Sequence, residues 1–241
     1  MDYQEPFRKD RKGLYYLDSK DVKVEELVLK QFVRPYYEQA IFYKIEGISD
    51  YIIKDCTRYP YYFNRIRNLH LLKKLVEKQK IIDNIDFPIA YYKSLNMLKG
   101  LVIRYYHNAS SLKEIASLYS LPQLNYYYSH ENNEIDNFIS LLLDILDLIR
   151  NMYDNGLYYT DIHMGNFLFY KNIVKVIDFE PGYVFFTDQN EYHLNKILKG
   201  YELLVNQFIR AFELKRILFH SGNEFYSTEQ NIKLIRKRLE R

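Results

Sequence analysis

The chain has 241 residues, 48% of them hydrophobic and 27% charged, enough apolar material for a core and too much for compositional disorder. Thirty-four basic residues against 31 acidic ones leave a formal charge of +3, too close to neutral to argue for a nucleic-acid-binding face. One cysteine, Cys56, excludes an internal disulfide framework and suits a reducing compartment.

The chain starts Met1-Asp2-Tyr3-Gln4-Glu5, without the apolar run of a secretory signal. In the first third, short apolar runs alternate with polar breaks. Val24 to Val33, Gln39 to Ile45 and Tyr51 to Lys54 read as strands of an antiparallel sheet, with Pro35 and Gly47 punctuating the connections. From Tyr61 to Ile81 the period becomes helical, carried by Ile66, Leu69, Leu72, Leu75 and Val76. Phe87 to Tyr92 and Leu101 to Tyr106 read as two further strands, and Lys99-Gly100 is expected to turn between them.

Beyond Tyr106 the texture is helical. A short helix is expected to begin at Ser110 or Ser111, followed by a polar, Tyr-rich loop from Pro122 to Asn133. Ile135 to Tyr153 reads as an amphipathic helix stopped by Asn155-Gly156. Its most apolar part, Phe138 to Ile149, contains Asp144 and Asp147 and falls short of the ~20 residues that cross a bilayer. A long helix starting near Asn190 is traced by Leu194, Ile197, Leu198, Tyr201, Leu204, Phe208 and Phe212. A last one is expected from Ser227, where Ser227 and Gln230 match a capping box. The pattern predicts an α+β fold: a small antiparallel-sheet lobe over residues 1–106 and a mainly helical lobe over 107–241. The protein is expected to be cytoplasmic and to have no transmembrane segment.

The chemistry concentrates in Gly156-Leu-Tyr-Tyr-Thr-Asp161-Ile-His163-Met-Gly-Asn166 and the following Val174-Lys-Val-Ile-Asp178-Phe179-Glu180. A carboxylate and a carboxamide share one loop, and a second carboxylate ends the next apolar run. Phosphoryl transfer needs such a set: one carboxylate to orient a hydroxyl and take its proton, and oxygen ligands to hold Mg²⁺ against phosphates. In that chemistry Asp161 is the base, and Asn166 and Asp178 are the metal ligands. No second His or Cys stands at ligand spacing from His163, which argues against zinc.

An Asp, four residues, an Asn, and then an apolar strand ending in Asp-Phe resembles the catalytic and metal-binding loops of the protein-kinase-like superfamily. The form Asp-Ile-His-x-Gly-Asn is similar to its atypical and small-molecule branches, which include compact bacterial Ser/Thr kinases and aminoglycoside, choline and lipopolysaccharide-sugar kinases. The resemblance covers roughly residues 25 to 215. It implies a bilobal fold, ATP and Mg²⁺ as cofactors, and transfer of the γ-phosphate to a hydroxyl acceptor. It implies that Lys54, ending Tyr51-Ile-Ile-Lys in the manner of Val-Ala-Ile-Lys, contacts the α- and β-phosphates. It also implies that Ile103, Arg104, Tyr105 and Tyr106 enter a hinge beside the adenine. His163 stands where standard Ser/Thr kinases carry a lysine, and either takes part in transfer or hydrogen-bonds within the loop.

Four departures qualify the match. Val33 to Gln39 contains no glycine, so the Gly-x-Gly-x-x-Gly cover over the phosphates is absent. Asn68 occupies the place of the helix Glu that should pair with Lys54, and Glu77 is the nearest helical carboxylate. Thr160 precedes the expected base, where Arg or Gly is usual. Glu180 replaces the glycine of Asp-Phe-Gly, and no Ala-Pro-Glu-like sequence follows. The leading expectation is an atypical protein kinase. A sugar or small-molecule kinase, a pseudokinase scaffold and an AMP-transferring enzyme are the alternatives.

Overall fold

The computed structural model describes residues 6–27, 41–57, 73–74, 84–107, 109–113, 134–171, 173–177, 184–186, 191–211 and 229–230. The chain divides into two compact units, Met1–His107 with Asp178–Gly182, and Asn108–Ile177 with Tyr183–Arg241.

Among the described residues, the first unit is a sheet of seven strands: β1 (Arg8–Lys9), β2 (Tyr15–Asp18), β3 (Val24–Glu26), β4 (Ile41–Ile45), β5 (Ile48–Asp55), β6 (Ala90–Ser94) and β7 (Met97–Arg104). Their order across the sheet is β1-β2-β6-β7-β5-β4-β3. β2 runs parallel to β6, with Tyr16 beside Tyr91 and Leu17 beside Tyr92. The sheet is therefore mixed, which corrects the expectation of an antiparallel one. The reason lies in the first 18 residues, which carry no long apolar alternation yet supply Leu17 to the core and two extra strands to the β6 edge.

Side chains alternate across a strand, so each residue's register decides its face. Ile53 pairs with Val102, Val102 with Ala90, and Leu17 with Tyr92; these residues join Ile45 and Ile89 in one buried cluster. Lys54, one residue on, faces the other way, level with Phe42 on one side and Leu101 on the other. β6 and β7 turn at Leu95-Asn96, both at positive φ (52° and 61°), and not at Lys99-Gly100. That pair of positive φ values makes a tight hairpin turn, which asparagine tolerates well. Gly100 instead lies inside β7, where a Cβ would stand 2.0 Å from the Lys54 carbonyl oxygen. Its glycine serves close approach of two backbones, not a turn.

The second unit holds two helices of 21 residues, α1 (Glu134–Asp154) and α2 (Glu191–Ala211). α1 buries Leu141, Leu142, Ile145, Leu146, Leu148, Ile149 and Met152 and leaves Asp144 and Asp147 exposed. It ends as its sequence dictates. Gly156 takes a φ of +70°, its N–H reaching the Tyr153 carbonyl at 2.9 Å, while Asn155 Nδ2 caps the Asn151 carbonyl at 2.9 Å. α2 buries Ile197, Leu198, Tyr201, Leu204 and Val205, and the Tyr201 hydroxyl donates to the Leu142 carbonyl of α1 at 2.6 Å.

Five short strands complete the unit among the described residues. β8 (Ser110–Ser111) pairs with β10 (Phe167–Tyr170), which pairs with β11 (Ile173–Val176); β9 (Leu157–Tyr159) pairs with β12 (Val184–Phe186). Ser110 and Ser111 extend a sheet edge, and Leu112 and Lys113 directly after them are helical, so the expected helix start is displaced by one or two residues. The predicted helix over 61–81, save Lys73-Lys74, and the loop over 122–133 lie outside the described residues. Of the last predicted helix only Glu229 and Gln230 are described, and both are helical; Glu229 Oε1 accepts from Arg150 Nη2 at 3.0 Å. Among the described residues no helix is long and apolar enough to cross a membrane.

Gly100→Ala is expected to lower the urea unfolding free energy by about 3 kcal/mol, because backbone has to move to admit the methyl. Gly47→Ala, at φ +78° with nothing within 4 Å, should cost about 1 kcal/mol from backbone strain alone. Equal midpoints for the two variants would contradict the close contact of β5 and β7.

Candidate functional site

The loop that carries Asp161, His163 and Asn166 leaves β9 and enters β10 through one 3-10 turn, Met164–Asn166. β9 is buried at all three positions, so the loop departs from a fixed strand. His163 is extended (φ −150°, ψ 159°) and caps the turn: its Nδ1 accepts from the Gly165 N–H at 3.1 Å, and its carbonyl accepts from the Asn166 N–H at 3.0 Å. Gly165 suits the turn, because a Cβ there would come within 3.0–3.1 Å of the imidazole, which would have to shift by a few tenths of an ångström. With Nδ1 accepting, the neutral ring carries its proton on Nε2, the nitrogen 3.5 Å from Asp161 Oδ1. His163 is therefore a loop ligand that also faces the expected base.

Asn166 is 4% exposed, and its amide nitrogen has three acceptors: the Tyr159 hydroxyl at 2.8 Å, the Asp161 carbonyl at 3.0 Å and Asp161 Oδ2 at 3.0 Å. Asn166 thereby holds both the backbone and the carboxylate of Asp161. Its own backbone carbonyl accepts from the Ile177 N–H at 2.9 Å, so the end of the β10–β11 hairpin is tied to the same residue. Beneath the loop, Ile162 packs on Gly200 of α2, where a Cβ would stand 3.2 Å from Ile162 Cβ. A glycine inside a helix is normally unfavourable; here it lets the loop sit close to the helix.

Mg²⁺ takes hard oxygen donors. The asparagine carbonyl is such a donor, and tethering Nδ2 fixes the direction in which that oxygen points. The loop's residues fit the ion in donor type. Asp178, the other expected ligand, lies outside the described residues, as do Asn68 and Glu77; its chain neighbour Ile177 is the residue bound to Asn166.

On the first unit, Lys54 is 2% exposed, with Nζ 6.0 Å from the centre of the Phe42 ring. An ammonium removed from water has to be compensated by its surroundings. On the same face lies Ile52, two residues earlier on β5 and opposite Ile103. Ile52 lines a cleft of about 320 Å³ at the β4–β5 turn with Lys44, Ile45, Tyr51, Tyr105 and His107, residues from both faces of the sheet. The Tyr105 ring meets the His107 ring edge-on at 4.5 Å, its N–H donates to the Asp50 carbonyl at 2.8 Å, and His107 Nε2 lies 2.9 Å from the Ser49 carbonyl.

Arg104 and Tyr106 are placed otherwise. Arg104 Nη1 is 3.8 Å from the buried Asp86 carboxylate, and Tyr106 interacts with both groups. Burial, and then Asp86, pushes the Tyr106 phenol above its ordinary value, against the pull of Arg104. Burial opposes the Arg104 charge, but Tyr106 and Asp86 outweigh it and hold the guanidinium protonated. Their side chains form a polar cluster, whereas Tyr105 lines the cleft.

The structure thus gathers Asp161, His163 and Asn166 in one loop, and Lys54 with Ile103 on one sheet face of the other unit. Tyr159 and Asp86 were not singled out from sequence: Tyr159 is one of 26 tyrosines, and Asp86 stands in no motif. No protein-family model matches the chain, and no curated protein matches it either.

Tyr159→Phe removes one of the three acceptors of the Asn166 amide. It is expected to cost about 1–2 kcal/mol of stability in chemical denaturation. A variant as stable as the parent would show that the Tyr159 hydroxyl carries no share of the loop's anchoring.

Proposed function

We propose that the chain is an ATP- and Mg²⁺-dependent phosphotransferase of the atypical protein-kinase-like type, moving the γ-phosphate to a hydroxyl, with a protein Ser/Thr as acceptor. The observation that carries this reading is the tether of Asn166 Nδ2 to the Asp161 carbonyl and carboxylate. It orients a carboxylate and a carboxamide together in a loop whose residue order already resembles the superfamily's. Two features of the other unit support it: the burial of Lys54, and the cleft that Tyr105 lines on leaving β7.

In this reading Asp161 receives the acceptor's proton while the hydroxyl oxygen bonds to the γ-phosphorus. The bond from that phosphorus to the β–γ bridging oxygen breaks, and ADP leaves with the electron pair. Asn166 and Asp178 hold the Mg²⁺, which supplies charge neutralisation for the transferring phosphoryl. Lys54 binds the α- and β-phosphates. His163 steadies the loop through Gly165 and faces the Asp161 oxygen that is not held by Asn166.

Calorimetric titration with ATP, with and without Mg²⁺, tests this. The parent protein is expected to bind ATP more tightly with Mg²⁺, and Asp178→Ala to lose that dependence. Asp161→Asn should leave binding nearly unchanged and lower phosphate transfer by roughly a thousandfold. Absence of binding up to millimolar ATP would sink the proposal and turn attention to a scaffold role.

A further inference from the structure

Asp86 belongs to none of the motifs above, yet it is a buried carboxylate, 8% exposed. It sits just ahead of β6 and meets the chain where β7 ends. Arg104 and Tyr106, its two partners, are alternate residues, which an extended chain projects to one side. Tyr105 between them goes to the other side and lines the cleft with His107. That side is secured separately, by the Tyr105 N–H on Asp50 and by His107 on Ser49. The segment is therefore held on both sides, with a buried carboxylate at ion-pair distance from Arg104, the residue just before Tyr105.

A buried ion pair of this kind contributes little net stability over well-packed apolar residues. What it supplies is geometry. The Arg104 guanidinium stands 3.8 Å from the Asp86 carboxylate, beyond hydrogen-bond distance, so this pair acts through charge in a buried setting. We infer that Asp86 is a positioning residue for the nucleotide base: its charge holds Arg104, and with it the end of β7, so that Tyr105 presents a preorganised wall to the cleft. This inference rests on the phosphotransferase reading, and it assigns Asp86 no contact with the nucleotide. In that reading other residues bind the phosphates, so a defect at Asp86 acts on the base alone.

That separation makes it testable. Asp86→Asn keeps size and an acceptor oxygen but removes the charge. The full chain is titrated with Mg²⁺-ATP and, separately, with Mg²⁺-tripolyphosphate, which has the phosphates and no base. The expected result is a loss of roughly tenfold in ATP affinity, as preorganisation is lost, with tripolyphosphate affinity unchanged. Asp86→Glu should recover part of the loss. Arg104→Gln, which removes the charge from the other partner, should reproduce the base-selective defect and covers the case in which Asp86→Asn fails to fold. Equal losses for the two ligands, or no loss for either, would overturn the inference while leaving the phosphotransferase reading intact. A parent chain that binds neither ligand would overturn the phosphotransferase reading and this inference with it.

Discussion

A buried carboxamide has to spend its donors, and Asn166 spends them on the residues around the candidate base. Two N–H groups serve the Tyr159 hydroxyl, the Asp161 carbonyl and the Asp161 carboxylate, so strand, loop backbone and carboxylate share one anchor. The rest of the loop follows from this. Met164–Asn166 winds tightly because Asn166 has to come back under Asp161, and His163 caps the winding. Gly165 is small because the imidazole lies against it, and Gly200 is small because Ile162 lies against α2. The α1–α2 pair, pinned by Tyr201 on Leu142, is the floor on which this arrangement stands.

The sheet unit solves a different problem. Its apolar cluster lies on one face, formed by Leu17, Ile45, Ile53, Ile89, Ala90, Tyr92 and Val102. Period-two alternation then sends Lys54 to the opposite face, between Phe42 and Leu101, where it is nonetheless buried. Burying Lys54 and Asp86 is a poor route to stability, since each charge gives up its hydration. Such groups gain from holding a geometry, and both lie in parts of the sheet that bear on the proposed nucleotide site. The extra strands β1 and β2 extend the sheet at its β6 edge, and Leu17 of β2 joins Ile53 of β5 and Val102 of β7 in the core.

Much of the architecture was legible in the residues. Helices α1 and α2 were, because each carries an uninterrupted apolar stripe over 21 residues, and Asn155-Gly156 marks where the first one stops. Strands β4 and β5 were, because Gly47 turns between two short apolar runs. Less could be read where partners decide. Ser110-Ser111 has no strand propensity worth naming and is extended because β10 offers it an edge. Lys99-Gly100 looks like a turn in isolation, but the backbone of Lys54 lies too near for any side chain at that position.

The candidate site divides in the same way. Sequence alone determined its local chemistry: Asp161, His163 and Asn166 lie within six residues, and a loop that short keeps them together under almost any fold. It also determined the strand-end place of Lys54, which depends only on the period of its neighbours. Tertiary structure decided what those groups do with their hydrogen bonds. It chose Tyr159 among 26 tyrosines to receive the Asn166 amide, and it set Asp86 against Arg104 and Tyr106 across 18 and 20 residues of chain. The physical reason is range. Periodicity and turn chemistry act between near neighbours along the chain, whereas satisfying a buried donor or charge depends on whichever distant residue packing brings within about 3 Å.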